Sequence, residues 1–517
     1  MAMATVCAGT KCDHCGKPFH GQADVLCSLR HRKGQNAPCP GNTMHLENHS
    51  HPTAILANAS LALRVGAAFV YALLLVALYD SLSYRWYYFG FLWANPSAAD
   101  IVIAIVAAAV PAAFLSPRPT GFVQFGGWVL HYAVVSPAIV VPILQGLQHA
   151  SSNYLLSVTI SLCAAAFNAS LRVPTGPLPS ITAMQFEPRT IRSAVRLLTI
   201  GGIAYMLAAH GTSLRLASFE DVYDQRFDFA DQSSIIDAYL VPIMSNVFIA
   251  FLLATGIRDR RWIDILLAIA GTLIVYSAFA LKSQLISPIL IFGIMSCFDK
   301  FGNFRPLVIP LFLISISSIY LIFFSGNIDA TGISGVLSSL IFMRTILLPG
   351  VIVGEFASFF SQFERTYYSH SLVGRFIVDY PYGDLSVGQV VGLYMFPDQG
   401  AAPFELNGNF IATDGIAALG LPGIPISFAV AAFSMHLLNM AGIKADRQAT
   451  FAMSIPYLMT LSNTSAFSSF VTGGGVILVI LLYLYGNQRR REDHSANLAE
   501  RYMSPSDQQA IQMDVRP

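Results

Sequence analysis

Charged side chains are scarce in this chain. Asp, Glu, Lys and Arg account for 11% of the 517 residues, whereas 54% are hydrophobic, and the mean hydropathy is +0.57. The 30 basic and 29 acidic residues leave a formal net charge of +1, so no overall field favours binding to nucleic acid or to an acidic soluble partner. This composition excludes an ordinary soluble enzyme and predicts an all-α bundle of membrane-spanning helices.

Cysteine is also rare, and most of it is confined to the N-terminus. Five of the 7 cysteines fall within residues 1–39, which excludes a disulfide framework for the whole chain. A C-x2-C-x11-C-x3-H pattern there could hold zinc tetrahedrally through three thiolates and an imidazole. The four predicted ligands are Cys12, Cys15, Cys27 and His31. The competing ligands are Cys7, Cys39, His14 and His20. A metal-free reduced tail and a redox switch are the alternatives.

No cleavable signal peptide is expected, because the first apolar run begins only near residue 54 and is too long for a signal sequence. About twelve apolar runs of spanning length are present. They lie at about 54–79, 99–115, 122–144, 154–171, 194–210, 238–256, 262–281, 284–298, 306–325, 418–441, 448–467 and 472–486. The chain therefore divides into a Cys/His-rich tail (1–53), a transmembrane region (54–486) and a polar tail (487–517).

Basic residues cluster in the short loops on one side of this predicted bundle. They are Arg118, Arg172, Arg189, Arg192, Arg258, Arg260, Arg261, Lys300, Arg305, Lys444 and Arg447. By the positive-inside rule these loops face the cytoplasm, and so do both termini. The outer side then carries two long connections, 211–237 and 326–417, and function is expected between them. The runs at 284–298 and 472–486 could instead be tilted or re-entrant, and losing one span would invert the orientation of every later span.

Charged groups close to the outer ends of spans are functional candidates, because they are costly near the membrane. Lys282, in ALKSQLISPIL, lies at a tight outer connection, where a snorkelling lysine is the structural alternative. Arg226 lies in EDVYDQRFDF, where a solvated ion pair with Asp224 or Asp228 is the alternative. Both residues are candidates for binding an anionic group.

The segment FMRTILLPGVIVGEFASFFSQFERTYYSHS within the second outer connection combines charge with aromatic residues. Arg344 precedes an apolar run that is interrupted by Pro349 and Gly350. Phenylalanines then recur at helical spacing, which predicts a re-entrant or interfacial helix that uses them for packing. Glu355 would be an isolated carboxylate on that helix, and burial would favour the uncharged state that general acid–base catalysis can exploit.

Taken in order, the motifs YDQRF, LKSQLISPIL, MRTILLPG with FASFFSQ, SHS, and NGNFIATDGIAALGLPGI resemble the outer-face motifs of bacterial oligosaccharide repeat unit polymerases, the O-antigen polymerase group. The resemblance covers about residues 200–470, and each motif is short. It implies a GT-C-like, membrane-embedded glycosyltransferase in the bacterial inner membrane. The N-terminal cysteine segment is not part of the family pattern, and the positions around Glu355 vary within the family.

The resemblance implies transfer of a growing glycan from polyprenyl diphosphate to the next lipid-linked unit on the outer face. The implied pyrophosphate ligands are Arg226, Lys282 and Arg344. The candidate general bases are Glu355, His370 and Asp414. No catalytic cofactor is expected, because the outer face has no D-x-D pair. The implied partners are the lipid-linked oligosaccharide, membrane lipids, a chain-length regulator and a flippase. A glycan ligase and a transporter are the alternative functions.

Overall fold

In the computed structural model the only regular secondary structure of the described residues is helical; turns and loops join the helices, and no strand occurs there. The described residues are 59–146, 150–179, 188–211, 214–215, 234–279, 282–301, 305–324, 335, 338–371, 374–397 and 405–486. The predicted zinc ligands and Arg226 lie outside these ranges. Lys282 is the first residue of a described helix, but its side chain is not described.

Fifteen helices organise the described chain. They are α1 (Leu61–Trp86), α2 (Ala98–Ala109), α3 (Phe122–Gln145), α4 (Ala150–Ser170), α5 (Pro188–His210), α6 (Ile235–Arg258), α7 (Trp262–Phe279), α8 (Lys282–Phe301), α9 (Val308–Phe323), α10 (Ser338–Gln362), α11 (Val387–Met395), α12 (Gly423–Gly442), α13 (Arg447–Met453), α14 (Ile455–Asn463) and α15 (Ala466–Gly486). Among the described residues, 8 helices are long and apolar enough to cross a membrane: α1, α3, α5, α6, α7, α10, α12 and α15. The chain is a multi-pass membrane protein, as its composition predicts.

Local sequence sets several of the helix starts. The Ser97 hydroxyl and the Asp100 carboxylate form a capping box at α2, and Ser234 with Asp237 does the same at α6. These side chains satisfy backbone N–H groups that have no partner within the helix, which matters most where water is scarce. Helix α3 is the central one: 89% of its apolar window is buried, and it packs against α1, α4, α10 and α12.

The basic loops meet at one end of the bundle, here called the basic end. Arg447 donates to the carbonyl oxygen of Pro119 at 2.9 Å, and Lys444 donates to that of Leu178 at 3.1 Å. A guanidinium nitrogen of Arg258 lies 3.5 Å from the Asp446 carboxylate. The loops grouped by the positive-inside rule are therefore neighbours in space, although they come from distant parts of the sequence.

Helix α10 is one continuous helix of 25 residues, 61% of whose apolar window is buried. Its first ten residues, Ser338–Leu347, have π-helical hydrogen bonding, and α-helical geometry begins at Leu348, just before Pro349. Proline has no N–H to donate, so a change in hydrogen-bond pattern at this point is expected. The interruption predicted at Pro349 and Gly350 is therefore a change of helix type within a continuous helix.

Close contact with α3 fixes where α10 lies along the bundle. A Cβ atom on Gly350 would lie 2.3 Å from the carbonyl oxygen of Pro137, so only glycine permits this approach. Five residues later, Glu355 lies beside Gln145 at the end of α3. Helix α10 therefore packs against the second half of α3 and runs in the direction away from the basic end. Its last residues extend beyond Gln145, the last residue of α3.

Candidate functional site

The segment after α10 folds back onto the residues that precede α12. The backbone N–H groups of Thr366 and Tyr367 donate to the carbonyl oxygens of Ala417 and Ala418, at 2.9 and 3.0 Å. Ala417 ends a π-helical segment, Ile411–Ala417, and Ala418 follows it; the wider turns of a π-helix open the backbone to such contacts. The SHS and ATDG motifs, which lie more than forty residues apart, are brought together by this docking.

The docked loop places His370 against Asp414. These residues are two of the three candidate bases. The Nε2 atom of His370 lies 3.8 Å from Oδ1 of Asp414. On its other side, Nδ1 of His370 is 2.7 Å from the Thr366 hydroxyl. The Thr366 hydroxyl has one proton and donates it to the carbonyl oxygen of Ala417, so Nδ1–H of His370 donates to the hydroxyl oxygen and Nε2 is the nitrogen left without a proton.

The order hydroxyl, imidazole, carboxylate is the arrangement that activates nucleophiles in many hydrolases. Burial argues against that role here, because the side chain of Thr366 is 0% exposed and its hydroxyl also lies 3.1 Å from the carbonyl oxygen of Ala417. A substrate cannot reach this oxygen while the loop is docked. Thr366 therefore holds His370 in place.

Asp414 is fully buried and joins this loop to the start of α15. Its Oδ1 accepts a hydrogen bond from the Ser465 hydroxyl at 2.6 Å, and its Oδ2 accepts one from the backbone N–H of Ala466. A carboxylate at a helix N-terminus is stabilised by the free N–H groups and the helix dipole. Asp414 is thus a fixed link between three segments, 363–371, 411–417 and 465–470.

Two consecutive tyrosines in the loop adopt the left-handed conformation. Tyr367 has φ +47° and Tyr368 has φ +65°, a region that costs side chains with a Cβ roughly 1–2 kcal/mol per residue. The Tyr368 ring packs edge-on against Phe467, with ring centroids 5.8 Å apart. Burial raises the pKa of Tyr368 to about 12, and the Asp414 carboxylate adds to the rise. The phenol is therefore neutral and bulky at neutral pH.

The strain at Tyr367 predicts an unusual order of stability among variants. Tyr367 is about half exposed, at 48%, so little packing is lost on replacement. Tyr367→Gly should melt at or above the wild-type temperature, whereas Tyr367→Val should be less stable by roughly 1–2 kcal/mol. Thermal unfolding in detergent measures both. Tyr87 is the control position, because its φ is −54°. There Tyr87→Gly should be less stable than Tyr87→Val. If glycine were the more stable variant at both positions, the strain argument would be contradicted.

A cavity of about 320 Å³ adjoins the end of this link. It is lined by parts of α6, α8, α14 and α15 and by the segment before the π-helix. Ten of its 15 lining residues carry a hydroxyl or a side-chain amide, and none of the described lining residues is charged. These polar lining residues include Asn246, Gln284, Asn407, Asn463, Thr464 and Ser468. Thr464 and Ser468 flank Ser465, the residue that donates to Asp414.

The cavity lies in the half of the bundle away from the basic end. Its α6 residues reach only as far as Asn246, whereas α6 reaches the basic end at Arg258. Its α8 residues, Gln284 and Ser287, are in the first turns, and Met295 further along α8 accepts from Gln448 close to the basic end. The cavity therefore lies in the half of the bundle that the charge pattern predicts to be the outer one.

Glu355, the third candidate base, belongs to a different neighbourhood. Its Oε1 accepts from Nε2 of Gln145 at 3.3 Å, and the same nitrogen donates to the carbonyl oxygen of Gly90 at 2.9 Å. Glu355 is 5% exposed. A Cβ on Gly90, which has φ +78°, would come within 3.0 Å of that carboxylate oxygen. Glu355 thus links α10 to α3 and to the turn after α1.

The three predicted pyrophosphate ligands are described to different extents. Arg344 is half-buried on α10, whose first part packs against α1 and α3. Lys282 begins the helix whose first turn, at Gln284, lines the cavity. Arg226 lies outside the described residues. Whether the three cations converge on one anion therefore stays a prediction.

Sequence reasoning missed Thr366, Ser465 and the cavity. Thr366 and Ser465 are ordinary hydroxyl residues, and only the docking of distant segments gives them partners. The cavity residues come from five separate stretches of the chain. The one available signal was the density of Ser, Thr and Asn in LSNTSAFSSFVTGG, which is high for a segment flanked by apolar runs.

Comparison of the chain with protein-family models, curated proteins and solved structures gave no match. The features available are the buried His370–Asp414 pair, the uncharged polar cavity beside its link to α15, and the position of both away from the basic end.

Proposed function

We propose that this protein is a membrane-embedded glycosyltransferase that polymerises polyprenyl-diphosphate-linked oligosaccharide repeat units into a surface polysaccharide. The reaction takes place at the outer face of a bacterial inner membrane. The ordered resemblance to oligosaccharide repeat unit polymerases motivates the proposal.

The observation that carries it is the polar cavity, none of whose described lining residues is charged, in the half of the bundle away from the basic end and next to a buried His–Asp pair. Polar groups inside a membrane bundle are costly, and they mark places where a polar substrate binds or passes. A cavity rich in hydroxyls and amides suits a sugar, which offers many hydroxyl groups and no charge. Lipid-facing packing alone would not require such a lining.

The proposed chemistry needs one base and several cations. A hydroxyl oxygen of the acceptor sugar attacks the anomeric carbon of the donor glycan, and the bond from that carbon to the diphosphate oxygen breaks. The polyprenyl diphosphate leaves with the bonding electrons, while the hydroxyl proton passes to a base. Arg226, Lys282 and Arg344 are proposed to stabilise the charge that develops on the diphosphate.

His370 is the proposed base among the three candidates. Asp414 is committed to Ser465 and Ala466, so it positions other groups. Within the described part of the chain, the Nε2 atom of His370 is buried without a hydrogen-bond partner and faces the Asp414 carboxylate at 3.8 Å. Exposing it to an acceptor requires the loop 363–371 to move. Glu355, beside Gln145, is the second candidate.

The proposal includes about twelve spans in a GT-C-like arrangement, with both termini in the cytoplasm. The clustering of Arg258, Lys444 and Arg447 at one end supports this sidedness. Catalysis is proposed to need no cofactor. The proposed partners are membrane lipids, a flippase that supplies the substrate and a regulator of chain length.

A structural zinc ion is proposed for the N-terminal tail, held by Cys12, Cys15, Cys27 and His31. Purified protein should contain about one zinc per chain by elemental analysis, and Cys12→Ser with Cys15→Ser should remove it. Because the tail lies outside the proposed catalytic region, the double variant should still extend glycans. Zinc retained by the double variant would contradict this ligand set.

Two other functions share these features. A ligase that transfers the glycan to lipid A would use the same donor and the same charge stabilisation. A transporter would bind the sugar without chemistry, and its charges and broken helices would concentrate near mid-membrane. The transferase is favoured because the charged candidates lie at the predicted outer ends of the spans and in one long outer connection.

The test is to incubate purified, detergent-solubilised protein with a lipid-linked oligosaccharide and to resolve the products on a gel. A ladder of glycans, each longer by one repeat unit, is the expected result. Transfer of a single glycan to added lipid A without a ladder would favour the ligase. An unchanged substrate, with folded protein verified by its thermal transition, would contradict transferase activity.

A further inference from the structure

We infer that the cavity between α6, α8, α14 and α15 binds a saccharide unit that carries no charge, and that it discriminates against uronic acids. This inference deepens the proposed function, on which it rests, by naming the class of sugar that the site accepts. It is carried by the hydrogen-bonding state of the cavity wall and by the charges of the described lining residues.

Several hydroxyls on the wall have already used their single proton. The hydroxyl of Ser245 donates to the carbonyl oxygen of Val241 at 2.7 Å, that of Thr460 to Pro456 at 2.9 Å, and that of Thr472 to Ser468 at 3.0 Å. A hydroxyl has one donor and two acceptor sites, so each of these groups offers the cavity only lone pairs. The wall is therefore rich in acceptors.

Two side-chain amides on the wall also donate to backbone carbonyl oxygens. The amide nitrogen of Asn246 donates to the carbonyl oxygen of Gly473 at 3.0 Å, and that of Asn463 donates to Met459 at 2.8 Å. Each amide also has its carbonyl oxygen as an acceptor and a second N–H as a donor. A ligand that offers both donors and acceptors, as the hydroxyl and acetamido groups of a neutral sugar do, therefore matches this wall.

A carboxylate fits this wall poorly for two reasons. It has acceptors and no donor, so it would leave the lone pairs of Ser245, Thr460 and Thr472 without a donor. In addition, none of the described lining residues carries a positive charge, and an unpaired buried carboxylate is strongly disfavoured. An inorganic cation would meet acceptors, but it would find no carboxylate among the described lining residues to balance its charge.

The remaining lining suits the less polar face of a sugar ring. Val241, Pro242, Pro456 and Met459 contribute apolar surface to the same cavity. Pyranose rings have C–H faces and hydroxyl edges, so a wall with apolar and acceptor regions can contact both. The volume of about 320 Å³ is at the small end of the roughly 300–1,000 Å³ typical of ligand sites, which fits a short saccharide unit.

The test measures saccharide binding directly by saturation-transfer NMR on the full-length protein in lipid nanodiscs. The probes are a neutral hexose disaccharide, an N-acetylhexosamine disaccharide, and matched disaccharides with one sugar replaced by a uronic acid. Binding of the neutral probes should be at least about 10-fold tighter than that of the uronic acids. Equal binding of both classes, or no transfer to any neutral probe, would overturn the inference.

Variants connect the binding to this cavity. Thr464→Val and Gln284→Leu remove single polar groups from the wall and should each weaken neutral-sugar binding about 10-fold, the value of one net hydrogen bond. Thr159→Val is the matched control, because Thr159 lies on α4, outside the cavity lining, and its hydroxyl donates to the carbonyl oxygen of Leu155. Unchanged binding in both cavity variants would place the sugar elsewhere and overturn the assignment.

The binding test and the ladder test have independent outcomes, so failure of the cavity assignment can be distinguished from failure of the proposed function. Neutral-sugar binding that is lost in the cavity variants, without a ladder from wild-type protein, would uphold the cavity and reject the transferase. A ladder that Thr464→Val and Gln284→Leu both form normally would uphold the transferase and reject the cavity as its sugar site.

Discussion

Asp414→Asn is expected to slow glycan extension about 100-fold and to lower stability by about 3 kcal/mol. The carboxylate accepts from the Ser465 hydroxyl and the Ala466 N–H and faces Nε2 of His370. An amide has one oxygen in place of two, so the Ser465 hydroxyl or the Ala466 N–H loses its acceptor, and a buried donor without an acceptor is costly. The link between the His370 loop and the cavity wall would then shift.

The measurement compares initial rates of ladder formation, per folded molecule, with the midpoint of thermal unfolding. Asp264→Asn is the matched control: Asp264 is also fully buried, and it pairs with Arg196 on helices that do not line the cavity. It should lower the melting temperature while leaving the rate per folded molecule within about 2-fold. If the two variants reduced the rate equally, Asp414 would act only through global stability.

The sequence anticipated those features of the fold that depend on average hydropathy. Each of the twelve apolar runs overlaps a described helix, because a run of apolar residues in lipid can satisfy its backbone only by becoming helical. The gathering of Arg258, Lys444 and Arg447 at one end also agrees with the charge pattern of the loops. Helical geometry at α10 was predicted, but its continuity through Pro349 was not.

Tertiary contacts between distant segments were beyond the sequence. His370 and Asp414 were singled out as separate candidate bases, yet nothing in either motif indicated that they would face each other at 3.8 Å. That contact depends on two backbone hydrogen bonds from Thr366 and Tyr367, the second at a φ value that tyrosine rarely adopts. Glu355 was grouped with them by chemistry, whereas packing places it beside Gln145.

Removing any one of the three proposed pyrophosphate cations is expected to reduce glycan extension by at least about 100-fold. The variants are Arg226→Gln, Lys282→Gln and Arg344→Gln, which keep a long polar side chain and remove the charge. A fixed cation stabilises the negative charge that develops on the leaving diphosphate, and this effect is largest where water is excluded. Loss of the charge should therefore lower the rate far more than it lowers substrate binding.

The experiment separates this effect from misfolding by measuring membrane insertion, melting temperature and rate for each variant. Arg375→Gln is the control, because Arg375 is exposed in the loop after His370 and its replacement removes the same charge from the same half of the molecule. This variant should extend glycans at nearly the wild-type rate. Normal polymer length in all three cation variants would reject the pyrophosphate assignment. A large loss confined to Lys282→Gln would instead favour a site centred on α8, whose first turn lines the cavity at Gln284.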